Sequence, residues 1–378
     1  MDAKIRYIDA DSHVLEPGDL WEKYLEPKFR SEMPYSFVGY TGDPLAFTVK
    51  VRVGEYGMPF SPEGSSSPLP GLADVYLEYV RRGFTPDCYK DAMDRVGMDY
   101  MVLYPTAGLY FVSVPKLAPA TAAAYCRAYN NWLHDFIAAG DGRLVGAGKL
   151  DLRDPGLAAQ EAQRCVKDLG FKAVTINPEP VTEHRLNDPF YDPLWSALED
   201  LDVPVGVHVG AGNAAEQWVK YYFPNPNMMQ ASGTTTFAIG NQLVSMTLIL
   251  GGVLERHPKL RVAHLESGCG WAAYWLDRME SSVQGGFRGL LPPGLTMKPV
   301  EYFKRQCFIS CDSDDPGIRM TMDVLGEGNI VCASDFGHPE GRRWVHAMDD
   351  LIAQPIPETA KRKMAWDNAI RLYKIGAD

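Results

Sequence analysis

The chain has 378 residues, of which 46% are hydrophobic and 22% charged, and its formal net charge is -11 at pH 7. This composition is typical of a globular protein with a large core, and the acidic balance disfavours nucleic acid and anionic membrane surfaces as partners. No apolar run is long enough to cross a membrane and the N-terminus does not resemble a signal peptide, so we expect a cytoplasmic protein.

Short β-branched runs alternate with helix-like segments along the chain. The predicted strands are Ile5–Ala10, Tyr100–Tyr104, Leu144–Leu150, Ala173–Asn177, Val203–His208, Arg261–His264, Cys307–Cys311 and Asn329–Ala333. Strands that alternate with helices indicate a parallel sheet, and eight of them predict an α/β protein with a (β/α)₈ TIM barrel. An open doubly wound sheet is the alternative, and the lack of a glycine-rich nucleotide loop after any predicted strand disfavours it.

Two segments do not fit this alternation. Residues 14–90 are rich in Pro, Gly, Tyr and Ser, and residues 209–241 contain Trp218 and Tyr222. They follow the first and fifth predicted strands, and loops at those ends form the catalytic rim of a barrel. We therefore expect one domain over residues 1–378, with long insertions after strands 1 and 5 and with residues 14–90 as a cap. Trp218 and Tyr222 could stack on an aromatic substrate or lie in a homodimer interface.

The first predicted strand runs into a segment of alternating acidic residues and histidine. Asp9, Asp11 and His13 would project to one side of an extended strand because successive side chains alternate between its faces. A carboxylate beside an imidazole suits Zn²⁺, Mn²⁺ or Fe²⁺. A turn stabilised by Asp side chains, with no metal, is the alternative interpretation of this segment alone.

Further polar side chains follow predicted strands 5, 6 and 8. They are His208, then His264 with Glu266, and then Asp335 with His338. A single histidine at a strand end is often structural, and Asp335 alone could cap a helix. All of them nevertheless fall at the end of the barrel that carries active sites, which predicts one shared site there.

Together these motifs resemble the amidohydrolase superfamily, and more narrowly its branch that contains aminocarboxymuconate-semialdehyde decarboxylase and metal-dependent aromatic acid decarboxylases. Besides the first strand, the resemblance rests on Asp188–Trp195, His257–Arg261, Ser334–Gly341 and Asp367–Tyr373. It covers nearly the whole chain and implies a barrel with a divalent metal ion.

The resemblance implies that Asp11, His13, His208 and Asp335 are metal ligands and that Asp9 supports them. Many members have His-x-His on the first strand, and the acidic Asp11 in this chain favours Mn²⁺ over Zn²⁺ because oxygen ligands suit harder ions. Members with two metals bridge them through a Lys or Glu at the end of strand 4, and predicted strand 4 does not end in one. We therefore expect one divalent ion, Zn²⁺ or Mn²⁺.

Catalytic roles follow from the same resemblance. We expect His264 to act beside the metal as general base or electrophile, and Asp335 to bind the metal and transfer a proton. Glu266 could hold an imidazole, or it could be a structural glutamate. His338 could bind substrate or only shape the loop before Pro339.

The sequence thus predicts a metal-dependent decarboxylase acting on an aromatic or unsaturated carboxylic acid. A hydrolase of the same branch, cleaving an amide, ester, lactone or C–C bond, is the alternative, and the long first insertion favours a larger substrate than a simple hydroxybenzoate. A barrel without catalytic function is less expected because the ligand pattern is intact. We also expect a small carboxylic acid as substrate and a homodimer.

Overall fold

The computed structural model describes residues 5–57, 65–68, 70–208, 221–222, 229–285, 294–341 and 343–376. Eight parallel strands form one sheet in the order β1-β6-β7-β8-β9-β10-β11-β12. These strands are β1 Ile8–His13, β6 Tyr100–Tyr104, β7 Leu144–Lys149, β8 Ala173–Ile176, β9 Val205–Val207, β10 Val262–His264, β11 Cys307–Asp312 and β12 Ile330–Ala333. The predicted α/β class and (β/α)₈ TIM barrel are confirmed, and each predicted strand overlaps an observed one.

Hydrogen bonds between strand β1 and the segment after strand β12 close the ring. The His13 N–H donates to the Phe336 carbonyl at 2.9 Å, and the Asp335 N–H donates to the Asp11 carbonyl at 3.0 Å. Three of these four residues are predicted site residues, and the fourth, Phe336, directly follows one. The place where the sheet closes is therefore also the place where the predicted site is assembled.

Helices surround the barrel and follow most of its strands. The α-helices outside the cap segment are Gly108–Phe111, Pro119–Ala138, Pro155–Lys167, Asp192–Asp200, Met229–Leu250, Val253–Arg256, Trp271–Gln284, Pro299–Gln306, Ile318–Leu325, Ala347–Ala353, Glu358–Arg362 and Asn368–Tyr373. Within the described part of the chain, no helix combines the length and the apolar character needed to span a membrane.

Side chains along each barrel strand point alternately into the barrel and towards the outer helices. Ala10, Ala147, Ala173 and Leu265 belong to one buried cluster inside the barrel. The opposite face of strand β7 carries Gly148, and a Cβ there would lie 2.6 Å from the sulfur of Cys165 on the neighbouring helix. Glycine therefore lets the helix pack directly on the outer face of β7, and the residues on either side of it point inward.

A second, antiparallel sheet lies between the first and second barrel strands. Its strands are β2 Tyr35–Thr41, β3 Ala46–Val53, β4 Tyr56–Gly57 and β5 Ser65–Pro68, and helices Leu20–Tyr24, Leu72–Arg81 and Pro86–Val96 accompany it. Strands β2 and β3 pair from Tyr35 opposite Arg52 to Thr41 opposite Ala46. This sheet lies within the segment 14–90 that we predicted to be a cap, and its status as a cap stays a prediction.

After the fifth barrel strand, residues 209–220 and 223–228 lie outside the described residues, and with them the predicted substrate residue Trp218. The chain is described again at the helix Met229–Leu250. Most of the insertion that we predicted after strand 5 therefore lies outside the described residues, and it stays a prediction.

We predict that Gly148→Ala destabilises the protein by about 1–3 kcal/mol because its Cβ would overlap Cys165. Chemical denaturation followed by circular dichroism measures this free energy of unfolding. Gly18→Ala is the matched control, since the nearest atom to its Cβ lies 3.9 Å away. Equal stability of the two variants would contradict the assignment of inner and outer faces on β7.

Candidate metal centre

The ends of strands β1 and β9 bring Asp11, His13 and His208 together. One ligand atom from each of the three lies within 4.8 Å of the others. The two imidazole Nε2 atoms are 3.0 Å apart, and the Asp11 Oδ1 atom lies 3.6 Å from His208 Nε2 and 4.0 Å from His13 Nε2. All three side chains are buried, so the sequence prediction that they share one site agrees with the geometry.

The His13 ring is oriented by the backbone of the next strand. Its Nδ1 lies 2.9 Å from the Pro105 carbonyl oxygen, which can only accept a hydrogen bond. Nδ1 therefore carries the proton, and in the neutral ring the Nε2 lone pair faces Asp11 and His208. Burial, with the nearby His338 and His208, holds the pKa of His13 well below its ordinary value, so the neutral ring is favoured.

Asp335 approaches the same cluster from the end of strand β12. Its Oδ1 atom lies 3.5 Å from His13 Nε2. Asp335 has a backbone φ of 52°, in the left-handed region that is rare for residues other than glycine, and this conformation turns the residue back towards strand β1. Asp335 is thus placed beside His13 by a strained backbone that follows the strand, rather than by the strand itself.

Asp9 supports this loop instead of joining the cluster. Its carboxylate accepts hydrogen bonds from the Ser334 N–H at 3.0 Å and from the hydroxyls of Ser12 and Ser334. The pairing of β1 with β6 shifts register between Asp9 and Ser12, so Asp9 and Asp11 do not share one side as strict alternation predicts. The resemblance had assigned Asp9 this supporting position.

Tyrosines from the first insertion bind the backbone of the Asp335 loop. The Tyr40 hydroxyl donates to the Gly337 carbonyl at 2.8 Å, and the Tyr76 hydroxyl donates to the His338 carbonyl at 2.9 Å. A Cβ at Gly337 would lie 2.7 Å from the carbonyl oxygen of His13, so only glycine fits there. The antiparallel sheet is therefore attached directly to the loop that carries Asp335.

Glu266 lies in the cluster, although the sequence left its role open. Its Oε2 atom is 3.2 Å from His208 Nε2 and 3.9 Å from His13 Nε2. Its N–H is 3.2 Å from Asp11 Oδ2, and its φ of 47° turns the chain inward directly after strand β10. Glu266 is consequently a further candidate ligand or base on this side of the cluster.

His338 is stacked on His13, with ring centroids 3.7 Å apart. Thr106 donates its hydroxyl proton to the Val14 carbonyl, so His338 Nε2, 2.8 Å away, must donate to Thr106. The Nδ1 atom of His338 then faces Asp335 Oδ1 at 3.2 Å. Burial alone would lower the pKa of His338, but the Asp335 carboxylate outweighs burial and raises it.

His264 does not lie in this cluster, in contrast to the sequence expectation. Ala263 and Leu265 face the barrel interior, so the side chain between them points outward. Its Nδ1 is 3.0 Å from Asn241 Oδ1, and its ring packs against Trp271 and Phe303 of the outer helices. The inward turn at Glu266 brings that residue to the position where we had expected His264.

The two aromatic residues that could stack on a substrate or lie in a dimer interface, Trp218 and Tyr222, stay predictions. Tyr222 is 70% exposed and makes an edge contact with Tyr221 at a centroid distance of 5.0 Å. Trp218 lies outside the described residues. Phe47 of the antiparallel sheet, which the sequence did not single out, lies 5.5 Å from the His338 ring.

The donor set fits a divalent metal ion. Atoms bound at about 2.1 Å to a common ion lie roughly 3–3.5 Å apart, close to the separations observed here. Asp11 Oδ1 and Asp335 Oδ2 are buried without a hydrogen-bond partner in the described structure. Burial raises the pKa of Asp11, Glu266 and Asp335 well above ordinary values, and among the described residues neither Lys nor Arg forms an ion pair with them. A cation would relieve this repulsion.

We predict that His208→Gln removes most of the bound divalent metal, whereas His264→Gln leaves the metal content unchanged. The reason is that His208 presents a nitrogen to the cluster, whereas His264 points away from it towards Asn241. Elemental analysis of protein purified without chelators measures the difference. Loss of metal from His264→Gln with a retained fold would show that His264 reaches the ion.

Comparisons with known proteins point to the same family. The amidohydrolase family model matches residues 8–375. A gamma-resorcylate decarboxylase from Rhizobium radiobacter is 27% identical over 85% of this chain and 96% of that protein. The crystal structure of 5-carboxyvanillate decarboxylase from Sphingomonas paucimobilis has a TM-score of 0.63 and 26% identity over 75% of this chain and 82% of that one.

A dihydroxybenzoic acid decarboxylase from Polaromonas sp. JS666, solved with bound manganese and the inhibitor 2-nitroresorcinol, shares the fold over 98% of this chain and 97% of its own. Its TM-score is 0.65 at 19% identity. The family match over almost the full length agrees with the barrel fold. The chain therefore belongs to the amidohydrolase family.

Proposed function

We propose that this protein is a metal-dependent decarboxylase acting on an aromatic or unsaturated carboxylic acid. The observation that carries the proposal is the buried group of Asp11, His13 and His208, with Asp335 beside it. Similar proteins named as gamma-resorcylate and 5-carboxyvanillate decarboxylases support the reaction. The acidic Asp335, held next to the candidate metal position, supplies the proton that decarboxylation requires.

Asp11, His13, His208 and Asp335 would hold one divalent ion, with Glu266 as an additional candidate ligand. The two or three carboxylates favour Mn²⁺ over Zn²⁺, since carboxylate oxygens suit harder ions. The manganese in the Polaromonas structure supports this choice. When bound, the ion would polarise a substrate oxygen and offset the buried negative charge.

A side chain of the protein would then donate the proton to the substrate. Burial, with the Glu266 charge, raises the pKa of Asp335, so its carboxyl group takes up a proton more readily than an exposed aspartate does. Asp335 would give this proton to the substrate carbon that bears the carboxylate. The bond from that carbon to the carboxylate breaks, its electron pair stays on the carbon to form the new C–H bond, and CO₂ leaves. Asp335 regains a proton from solvent before the next cycle.

The first insertion would exclude water from this step. Phe47 lies against His338, and Tyr40 and Tyr76 bind the loop that carries Asp335. Asp11, His13 and His208 are at most 1% exposed. A dry site strengthens the electrostatic interactions that stabilise charge on the substrate. Residues 14–90 would therefore act as the cap of a single domain.

Hydrolysis is the second candidate, and the position of Glu266 favours it. A carboxylate 3.2 Å from His208 Nε2 could accept the proton of an attacking water molecule. Turnover in heavy-oxygen water separates the two reactions, because hydrolysis places solvent oxygen in the organic product and decarboxylation does not. The predicted homodimer and cytoplasmic location stay predictions.

The proposed reaction predicts CO₂ release from the purified, manganese-loaded protein. Hydroxybenzoates and carboxyvanillate form the substrate panel, and gas release together with loss of ultraviolet absorbance is measured. Removal of the metal with a chelator is expected to stop turnover, and Mn²⁺ is expected to restore it. A metal-loaded protein that releases no CO₂ across the panel would contradict the decarboxylase proposal.

For Asp335→Asn we predict a loss of turnover of about a thousandfold because the amide cannot donate the proton that the ring carbon needs. Steady-state kinetics and a thermal melt measure activity and folding in parallel. Asp91→Asn is the control, since Asp91 pairs with Arg82 at the surface. Full activity of a folded Asp335→Asn variant would overturn the assigned role.

A further inference from the structure

Lys149 ends strand β7 and points into the barrel. The neighbouring Gly146 and Gly148 face outward, because a Cβ on either would meet side chains of the outer layer at 2.6–2.7 Å. Val145 and Ala147 belong to the inner cluster, and alternation places Lys149 on the same side. The lysine is fully buried, as His13 and His208 are. It therefore lines the same closed end of the barrel.

The ammonium group of Lys149 is only partly satisfied. Its Nζ donates to the side-chain oxygen of Asn177, and among the described residues it forms no other hydrogen bond and no ion pair. The carboxylates of Glu179 and Asp151 lie near enough to favour its charged form, which burial disfavours. Asn177 is fixed in turn, because its amide donates to the Leu109 carbonyl at 2.6 Å and to the Ser113 hydroxyl at 3.0 Å. A buried cation with unused donors is costly unless an anion completes it.

The other buried basic side chain at this end of the barrel is already paired. Arg153 binds the Asp151 carboxylate and the carbonyls of Val112 and Val114. Burial lowers the pKa of Lys149 to about 8, which leaves most of the group charged at pH 7. Lys149 thus keeps donors available for an anion, whereas Arg153 already binds a carboxylate.

Asn177 connects Lys149 to the metal cluster. The His208 N–H donates to the Ile176 carbonyl at 3.0 Å, so Asn177 and His208 follow one another across strands β8 and β9. Both residues come directly after an outward-facing residue and therefore point inward. One hydrogen bond links Lys149 to Asn177, and Asn177 lies beside His208, a candidate ligand of the metal.

We propose that Lys149, held by Asn177, binds a second anionic oxygen of the substrate, a carboxylate or phenolate that the metal does not hold. The inference rests on the proposed function, since it assumes that an acid binds at the metal. The inference narrows the substrate class to acids that carry a further acidic group beyond those bound at the metal. Lys149 is then a specificity-determining residue whose ion pair forms only in the complex.

Two ligands that differ by one carboxylate test this assignment. Salicylate offers a chelating carboxylate and phenol, and a hydroxyisophthalate adds a second carboxylate to the same ring. Calorimetric titration of both into manganese-loaded protein measures their dissociation constants. We expect the wild type to bind the hydroxyisophthalate at least about tenfold more tightly, in keeping with a buried charge-assisted hydrogen bond.

Lys149→Met is expected to abolish this preference while leaving the salicylate affinity within about twofold and the metal content unchanged. Lys149→Gln provides a second variant if the first does not fold. Lys361→Met is the matched control, because Lys361 is also buried but is paired with Glu358 on an outer helix. It should bind both ligands as the wild type does.

Unchanged preference in a folded Lys149 variant, or an equal loss of both ligands, would overturn the assignment. So would a wild type that binds the two ligands equally. These outcomes are independent of CO₂ release, because the titration measures binding alone. A Lys149-dependent preference without decarboxylation would refute the proposed reaction and keep the anion site.

Discussion

Three carboxylates and three imidazoles meet in one buried space, and the described residues supply no lysine or arginine that forms an ion pair with these carboxylates. Buried like charges raise one another's pKa and weaken the fold unless protons or a cation neutralise them. The donor separations of 3.0–4.0 Å fit one cation better than they fit direct hydrogen bonds throughout. The surrounding barrel can be understood as the scaffold that keeps these groups together despite their repulsion.

The backbone hydrogen bonds that close the barrel involve the same residues whose buried side chains form the cluster. The barrel closes through backbone hydrogen bonds of Asp11, His13 and Asp335, so the candidate ligands are also the residues that join the first strand to the last. Asp335 and Glu266 both adopt left-handed backbone conformations, which loops tolerate when their surroundings fix them. The hydroxyls of Tyr40 and Tyr76 fix the Asp335 loop from outside. Order in the segment that carries Tyr40 and Tyr76 and order at the candidate metal position therefore depend on each other.

The eight strands were predictable because each is a short apolar run between polar turns, and the shared end of a parallel barrel brought Asp11, His13, His208 and Asp335 together in the prediction. His264 and Glu266 could not be assigned in this way. The sequence shows a histidine at a strand end, but whether it points inward depends on the register of the strand, and the left-handed turn at Glu266 has no sequence signal. The antiparallel pairing in residues 35–53 was also missed, since Gly and Pro in this segment suggested a loop.

Lys149 escaped the sequence analysis for a related reason. A lysine at the end of an apolar strand suggests a solvated terminus, and only the outward-facing Gly146 and Gly148 show that it points into the barrel. Its charge has a consequence for binding. Lys149 places a positive charge at the end of the barrel that holds the candidate metal ligands. The same charge that burial makes unfavourable in the free protein would favour the binding of an anionic substrate.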